Sequence, residues 1–374
     1  MKVAIVADWL PTYGGAEHVV AALAKIWPDA PLFTTVASRE RLGPLKGADV
    51  RTIPFLQRMY RLLGRHQYLL PWMPRAVEDI RLEGYDIVLS SSHAVGKGVI
   101  PPSTSVHVCY CHTPMRYAWE MEAQYLKDFR IRGLLKRFVR GELKRLRRWD
   151  LTTARRVDHF IANSTETQER IKRIYGRDSI VISPPVDERF YHTSLTAHSS
   201  QLTASSYLLA IGRLVPYKRF DLLIELANAL KLDLRIAGTG SDAARLKKMA
   251  GPTVRFLGFV SDSELPALYA NAAFLLFPQI EDAGIVPLEA QASGVPVIAF
   301  GEGGILDVLR HGENGMLVPK QTVEAFSAAV KQAQLVHWDR GAIRECARKF
   351  SLASFCEKIA QEVLAAHERV RGRS

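Results

Sequence analysis

Residues 2–26 read KVAIVADWLPTYGGAEHVVAALAKI. The apolar, largely β-branched run 3–7 stops at the polar Asp8, a loop carrying Gly14 and Gly15 follows, and from 16 to 26 apolar residues recur at helical spacing. Strand, glycine loop and helix in that order form the unit from which parallel sheets are built, because a parallel neighbour can be reached only by a crossover connection. Apolar runs at 86–90, 106–111 and 157–162, separated by helical stretches, extend this unit into a parallel sheet covered by helices. After Pro184 and Pro185 the texture changes to HTSLTAHSSQLTASS (192–206), a Ser/Thr-rich stretch that reads as an interdomain linker. A fresh series then begins, with apolar runs at 207–211, 232–237, 253–257, 273–277 and 296–300, each followed by a helical or glycine-rich segment.

The expected fold class is therefore α/β, with two Rossmann-like domains whose parallel sheets face each other across a cleft at the carboxyl ends of their strands. Residues 1–190 make the first domain, 200–350 the second, and the helical pattern in 351–374 packs back on the first. A length of 374 residues suits two domains that each bury a core.

Composition narrows the functions available. The four cysteines, Cys109, Cys111, Cys346 and Cys356, have neither zinc-site nor thioredoxin-type spacing, which fits a reducing, cytoplasmic setting. The run 3–7 is too short for a secretory signal, so the mature chain is expected to begin at Met1. The stretch 265–280 contains two prolines and falls short of the ~20 residues that cross a bilayer, so an integral membrane protein is not expected. The net charge is +12, and between residues 127 and 150 ten basic side chains face three acidic ones. There Leu134, Leu135, Phe138, Val139, Leu143 and Leu146 recur at roughly helical spacing, as in a basic amphipathic helix. Such a helix is either a solvated face with its apolar stripe in the core, or a surface for an anionic membrane or lipid-linked substrate. No recognition motif supports nucleic acid as a partner.

The segment with the most chemistry is EDAGIVPLEAQASGVPVIAFGEGG, residues 281–304. Glu281 follows an apolar strand and Glu289 lies inside the helix that the segment opens; eight residues at ~1.5 Å rise separate them by ~12 Å along the axis. Between them Gly284, Ile285 and Val286 offer backbone N–H groups at a positive helix end, suited to phosphate oxygens. In GRLVPYKRFDLLI (212–224), Arg213 and Lys218 follow the strand 207–211, where two cations can neutralise a leaving diphosphate without a metal ion. Gly14 and Gly15 let backbone approach a phosphate or acceptor closely. His112 stands just after the run 106–111, where the cleft is expected. Gly238, Gly240 and Ala243 fit G-x-G-x-x-A, but an earlier strand already opens this half, so the turn is read as lying beside the site rather than as a dinucleotide fingerprint. Neither H-E-x-x-H, a P-loop nor G-x-S-x-G is present.

Over nearly the whole chain these residues resemble the family-4 retaining glycosyltransferases of GT-B fold. GRLVPYK, AGTGS, LGFVSDSEL, the two glutamates Glu281 and Glu289 with seven residues between them, and ASGVPVIA carry the likeness in the second half. In the first half GGAEHVV, YCHTPMRYAWE and FIANSTETQERIKRIYGRDSIVISPPVD are similar to the branch that builds bacterial O-antigens and exopolysaccharides, where mannosyltransferases are frequent. The resemblance implies that Arg213 and Lys218 bind the donor diphosphate, Glu289 the ribose and Glu281 the transferred sugar. It also implies that His112 lies beside that sugar, and that Gly14 and Gly15 form a loop near the phosphates and acceptor. One departure is Ala283, at a position where the family commonly has an aromatic.

The function expected is retaining transfer of a hexose, mannose from GDP-mannose, to a glycan or polyprenyl-diphosphate-linked acceptor in cell-surface polysaccharide synthesis. Neither cofactor nor metal is expected, and the site is cytoplasmic or peripheral on the inner face of the membrane through residues 127–150. The alternatives are a sugar-nucleotide epimerase of the same fold and a non-enzymatic protein that binds nucleic acid or a membrane surface.

Overall fold

The computed structural model describes residues 1–120, 122, 133–193 and 206–372. The central part of the linker reading and residues 127–132 of the basic segment lie outside the described residues, as do the side chains of Leu134 and Leu135. The chain divides into two units, Met1–Pro184 with Phe355–Ser374, and Pro185–Ser354.

In the first unit the strands are β1 (Val3–Ala7), β2 (Leu32–Thr34), β3 (Val50–Thr52), β4 (Ile87–Ser92), β5 (Val106–Cys111), β6 (His159–Ala162) and β7 (Ser179–Val181). They form one sheet in the order β3-β2-β1-β4-β5-β6-β7, parallel throughout. Every residue of β1, β4 and β5 is buried, as expected for strands covered on both faces. The order reverses between β1 and β4, so the carboxyl ends of these two strands flank the switch point, where open α/β sheets bind ligands. Among the described residues six helices connect the strands: α1 (Gly15–Ile26), α2 (Pro54–Leu63), α3 (Met73–Glu78), α4 (Arg116–Trp119), α5 (Gly133–Ala154) and α6 (Thr165–Tyr175). The sequence starts and stops α6 plainly: Ser164 accepts the Thr167 N–H at 3.1 Å, and Gly176 closes the helix at φ 66°.

The basic helix α5 is fixed by a buried polar knot. Lys97 and Asp150 form a fully enclosed ion pair, and Asp150 also accepts from Trp119 Nε1 at 2.7 Å and Tyr175 OH at 2.9 Å. Leu143 and Leu146 face the core and Val139 packs against it, but Phe138, expected in the same apolar stripe, is 65% exposed. Phe138 thus lies, with the exposed Arg137, on the outward side of α5.

In the second unit β8 (Tyr207–Ile211), α7 (Phe220–Leu230), β9 (Leu234–Ala237), α8 (Ala243–Met249), β10 (Val254–Gly258), α9 (Leu265–Ala270), β11 (Ala272–Phe277), α10 (Ile285–Ala292), β12 (Val297–Phe300), β13 (Gly315–Val318), α11 (Val323–Ala333) and α12 (Arg340–Ala347) alternate. The sheet runs β10-β9-β8-β11-β12-β13, again parallel, with its switch point between β8 and β11. Alternate residues of β8 enter separate cores, Leu208 and Ala210 on one face and Tyr207 and Leu209 on the other. The last helix, α13 (Leu352–Arg371), belongs to the first unit from Phe355 onward. Phe355, Ile359, Val363 and Ala366 form its buried stripe, and Phe355 meets Tyr110 edge-on at 5.8 Å. Among the described residues no helix is long and apolar enough to cross a membrane.

Candidate active site

The second unit brings together, at its switch point, the two segments singled out in the sequence. Lys218 ends the turn after β8, Glu281 lies within the loop between β11 and α10, and their side chains pair at 2.9 Å between Nζ and Oε1. Lys218 is aimed there because its stem lies along Gly212, where a Cβ would come within 3.1 Å of Nζ. Arg213, on the same loop, is exposed and makes no ion pair among the described residues.

Two glycine contacts set this geometry. A Cβ on Gly238 would stand 1.9 Å from Gly212 O and one on Gly240 2.1 Å from Leu214 O, while Leu214 N–H donates to Thr239 O at 2.9 Å. The AGTGS turn is thus a backbone support for the loop carrying Arg213 and Lys218. Gly303 and Gly304 do the same for the glutamate loop. Gly304 N–H donates to Glu281 O at 2.9 Å, and a Cβ on Gly304 would stand 2.1 Å from Asp282 O and 3.0 Å from Ala283 Cα. The sequence reading did not assign these two glycines a role, although GEGG immediately after an apolar strand was a visible signal.

Helix α10 is shorter than the spacing argument assumed. It begins at Ile285, so only Ile285 to Glu289 rise helically, about 6 Å rather than ~12 Å. Its first turn also departs from the expectation of three open donors. The Ile285 N–H turns back to Ala283 O at 3.2 Å and Pro287 has none, leaving Gly284 and Val286 without a backbone acceptor among the described residues. Glu289 is buried and its Oε2 accepts from Tyr269 OH at 2.7 Å. Burial pushes its carboxyl up to about 7, outweighing the Tyr269 hydrogen bond.

The first unit gathers a different set at its own switch point. Asp8, directly after β1, is enclosed and accepts from Ser92 Oγ at 2.9 Å, His93 N–H at 2.7 Å, Ala94 N–H at 3.1 Å and His93 Nδ1 at 2.9 Å. Burial alone would raise its carboxyl, but His93 and these N–H groups hold it well below the usual range. This clamp shapes the end of β4, and from there Ser91 Oγ meets His112 Nε2 at 2.8 Å. His112 N–H donates to Ser92 O at 2.9 Å and its carbonyl accepts from Thr167 Oγ1 at 3.1 Å, so its backbone is held from both sides. Burial, with His93 nearby, lowers His112 to about 3, so the imidazole is neutral at physiological pH. Asp8 and His93 were missed in the sequence because 84 residues separate Asp8 from its first side-chain partner, Ser92.

Gly14 and Gly15 differ from the supporting glycines. A Cβ on either would meet nothing within 4 Å, and Gly14 at φ 170° is ordinary extended backbone. Nothing within the first unit requires glycine there. Beside them Glu17, in the first turn of α1, is pushed by burial up to about 7.

Both halves of the chain are similar to known proteins. Residues 13–190 match Glycosyltransferase Family 4, and residues 197–349 match Glycosyl transferases group 1. A D-inositol 3-phosphate glycosyltransferase of Geodermatophilus obscurus is 31% identical over 46% of this chain, and the alignment spans about half the length of that relative (45%). A GDP-mannose-dependent alpha-(1-6)-phosphatidylinositol monomannoside mannosyltransferase of Mycobacterium tuberculosis is 26% identical over 87% of this chain and 83% of its own. Anabaena HepE, solved in complex with UDP, superposes with a TM-score of 0.71 at 18% identity, covering 98% of this chain and 100% of that one. With each half matched by a glycosyltransferase family and the fold shared along its length, the chain belongs to the GT-B glycosyltransferases.

Proposed function

We propose that the protein transfers mannose from GDP-mannose, with retention at the anomeric carbon, to a glycan or polyprenyl-diphosphate-linked acceptor of a cell-surface polysaccharide. The observation that carries the transferase part is the Lys218–Glu281 pair at the switch point, set beside the open start of α10. In this reading Lys218 and Arg213 hold the diphosphate and stabilise the negative charge that grows as it departs. The N–H groups of Gly284 and Val286 add donors at the positive helix end. Glu281 orients the hydroxyls of the transferred sugar, and its pairing with Lys218 keeps both charges aimed at one place. Glu289 receives the ribose hydroxyls. These cations and dipoles serve where a metal ion would otherwise neutralise the diphosphate, so the reaction runs without one.

On the acceptor side, His112 is neutral and fixed, able to donate or accept a hydrogen bond beside the transferred sugar. The bare backbone of Gly14 and Gly15, unneeded for internal packing, leaves room for phosphate or acceptor. The mannose assignment is supported by the mycobacterial relative, whose name specifies GDP-mannose. The protein works at the cytoplasmic face of the membrane, where a lipid-linked acceptor is presented.

A thermal-shift series in EDTA with GDP, UDP, ADP and their sugar conjugates tests this. A native-state ligand at a hundred times its Kd stabilises by about 2.7 kcal/mol. GDP-mannose is expected to give the largest shift. A larger shift with a UDP-sugar replaces the donor, and no shift with any nucleotide rejects the reading.

A further inference from the structure

Lys218 is followed by Arg219, whose backbone is left-handed at φ 54° and ψ 37°. Among the described residues only Lys231 shares a positive φ without being glycine, and Lys231 closes α7, where helices commonly turn left-handed. Arg219 stands instead at the entry to α7. A side chain there carries a steric penalty that glycine would avoid, so the fold keeps strain one residue away from Lys218. The contacts of that side chain give the strain a use. Arg219 Nε lies 3.3 Å and 3.4 Å from the carboxylate oxygens of Asp221, in the first turn of α7, and its Nη1 donates to Gln321 Oε1 at 3.0 Å. Gln321, in the turn between β13 and α11, donates through Nε2 to Pro278 O at 2.6 Å. Pro278 directly follows β11 and stands three residues before Glu281. The Gln321 amide can face only one way, because the guanidinium offers donors alone and the Pro278 carbonyl only accepts. Arg219 and Gln321 are half-buried and Pro278 is buried, so water competes little for these bonds.

We propose that Arg219 and Gln321 are positioning residues: they form a strap from the residue after Lys218 to the start of the loop carrying Glu281, and so set the distance between the two loops. This rests on Lys218 and Glu281 being the donor site of the proposed function. Lys and Glu have long side chains, and holding both in one geometry costs rotamer freedom. A fixed separation of their backbones lowers that cost and keeps the 2.9 Å pair aimed before a donor arrives, which is preorganisation. Neither Arg219 nor Gln321 has to touch the donor. The left-handed backbone is what turns the Arg219 side chain away from Lys218 and toward Gln321, 102 residues further along the chain.

The test compares the full chain with Arg219→Gly, Arg219→Asn, Gln321→Ala and Gln321→Glu. Gly and Asn both accept the left-handed backbone, so the two Arg219 variants should melt at or above the wild-type temperature although the guanidinium is gone. Titration calorimetry with GDP and with UDP, each in EDTA, should show affinity for the preferred nucleotide falling about tenfold in every variant, the worth of one hydrogen bond to a charged group. Gln321→Glu keeps an acceptor for Arg219 but sets an oxygen against Pro278 O, so it should behave as Gln321→Ala. Arg219→Asn/Gln321→Ala should lose no more than either single change, because both cut one strap. Exchange of the Gly304 amide, which donates to Glu281 O, reads the glutamate loop without ligand and should speed up in all variants. Wild-type affinity in the Arg219 variants, additive losses in the double variant, or a melting temperature that drops in step with affinity would overturn the proposal. A wild type that binds neither nucleotide removes the proposed function instead, and an unchanged Gly304 amide would then overturn the strap on its own.

Discussion

Replacing Glu289 by Gln should make the second unit more stable and the enzyme worse. Folding raises the Glu289 carboxyl from 4.5 to about 7, because its burial on α10 costs the charged form more than the Tyr269 hydroxyl returns. A carboxyl raised on folding contributes its stability below the unfolded value and loses it as pH rises through the folded one. The full difference is roughly 3 kcal/mol at about 1.4 kcal/mol per pH unit, most of it lost between pH 5 and pH 8.5. Gln keeps the shape, and its carbonyl can still accept from Tyr269, but it cannot ionise. Urea unfolding of wild type and Glu289→Gln across that range should therefore give a gap that opens with pH in favour of the variant. Taking the difference removes Glu17, which titrates in the same window in both proteins. Isothermal titration with GDP-mannose at pH 8 should show the opposite sign, about ten- to a hundredfold weaker binding, because hydrogen bonds to a charged group are worth ~1.5–3 kcal/mol. Parallel pH profiles for the two proteins would refute the burial argument, and unchanged donor affinity would refute the ribose assignment.

Lys218→Ala and Glu281→Ala should each cut turnover by at least about a hundredfold, with unfolding free energy within about 1 kcal/mol of wild type because the pair stays partly open to water; near-normal turnover in either would sink the site. Gly304→Ala puts a Cβ 2.1 Å from Asp282 O and should displace the glutamate loop, costing about 1–3 kcal/mol and most donor binding. Gly14→Ala meets nothing within 4 Å, so its melting temperature should be that of wild type while transfer falls; full activity would leave that glycine without a role. Lys97→Met leaves Asp150 buried without its cation and should destabilise the first unit by about 3–5 kcal/mol, read by denaturation.

The long buried strands were legible because both faces are apolar: 106–111 and 207–211 were bounded as observed. The strands that went unread, β2, β3, β7 and β13, have three or four residues. β3, β7 and β13 lie at sheet edges, and the first two are half-open to solvent, so no sustained apolar run marks them. The same distinction holds at the site. Lys218 and Glu281 announce themselves by following strands, and their meeting follows from the sheet order. The Asp8 clamp joins segments distant in sequence and no local pattern encodes it, whereas the Gly304 support is a backbone contact signalled only by GEGG after β12. The spacing of the two glutamates misled for a physical reason: Asp282 to Gly284 are loop rather than helix, so residue count overstated the axial rise.

The first unit is completed by a helix encoded at the far end of the chain. Tyr110 rests on Phe355, His159 pairs with Glu362 at 2.9 Å, and Asp86 meets Arg371 at 3.1 Å. During synthesis, then, the unit that starts first finishes last. Residues 185–354 have all their own partners before α13 has left the ribosome, whereas the seven-stranded sheet must wait with part of its apolar surface uncovered. A chain that stalls or is cut near residue 350 would thus lose its amino-terminal half as a native body while keeping its carboxyl-terminal one, the reverse of the usual vectorial order.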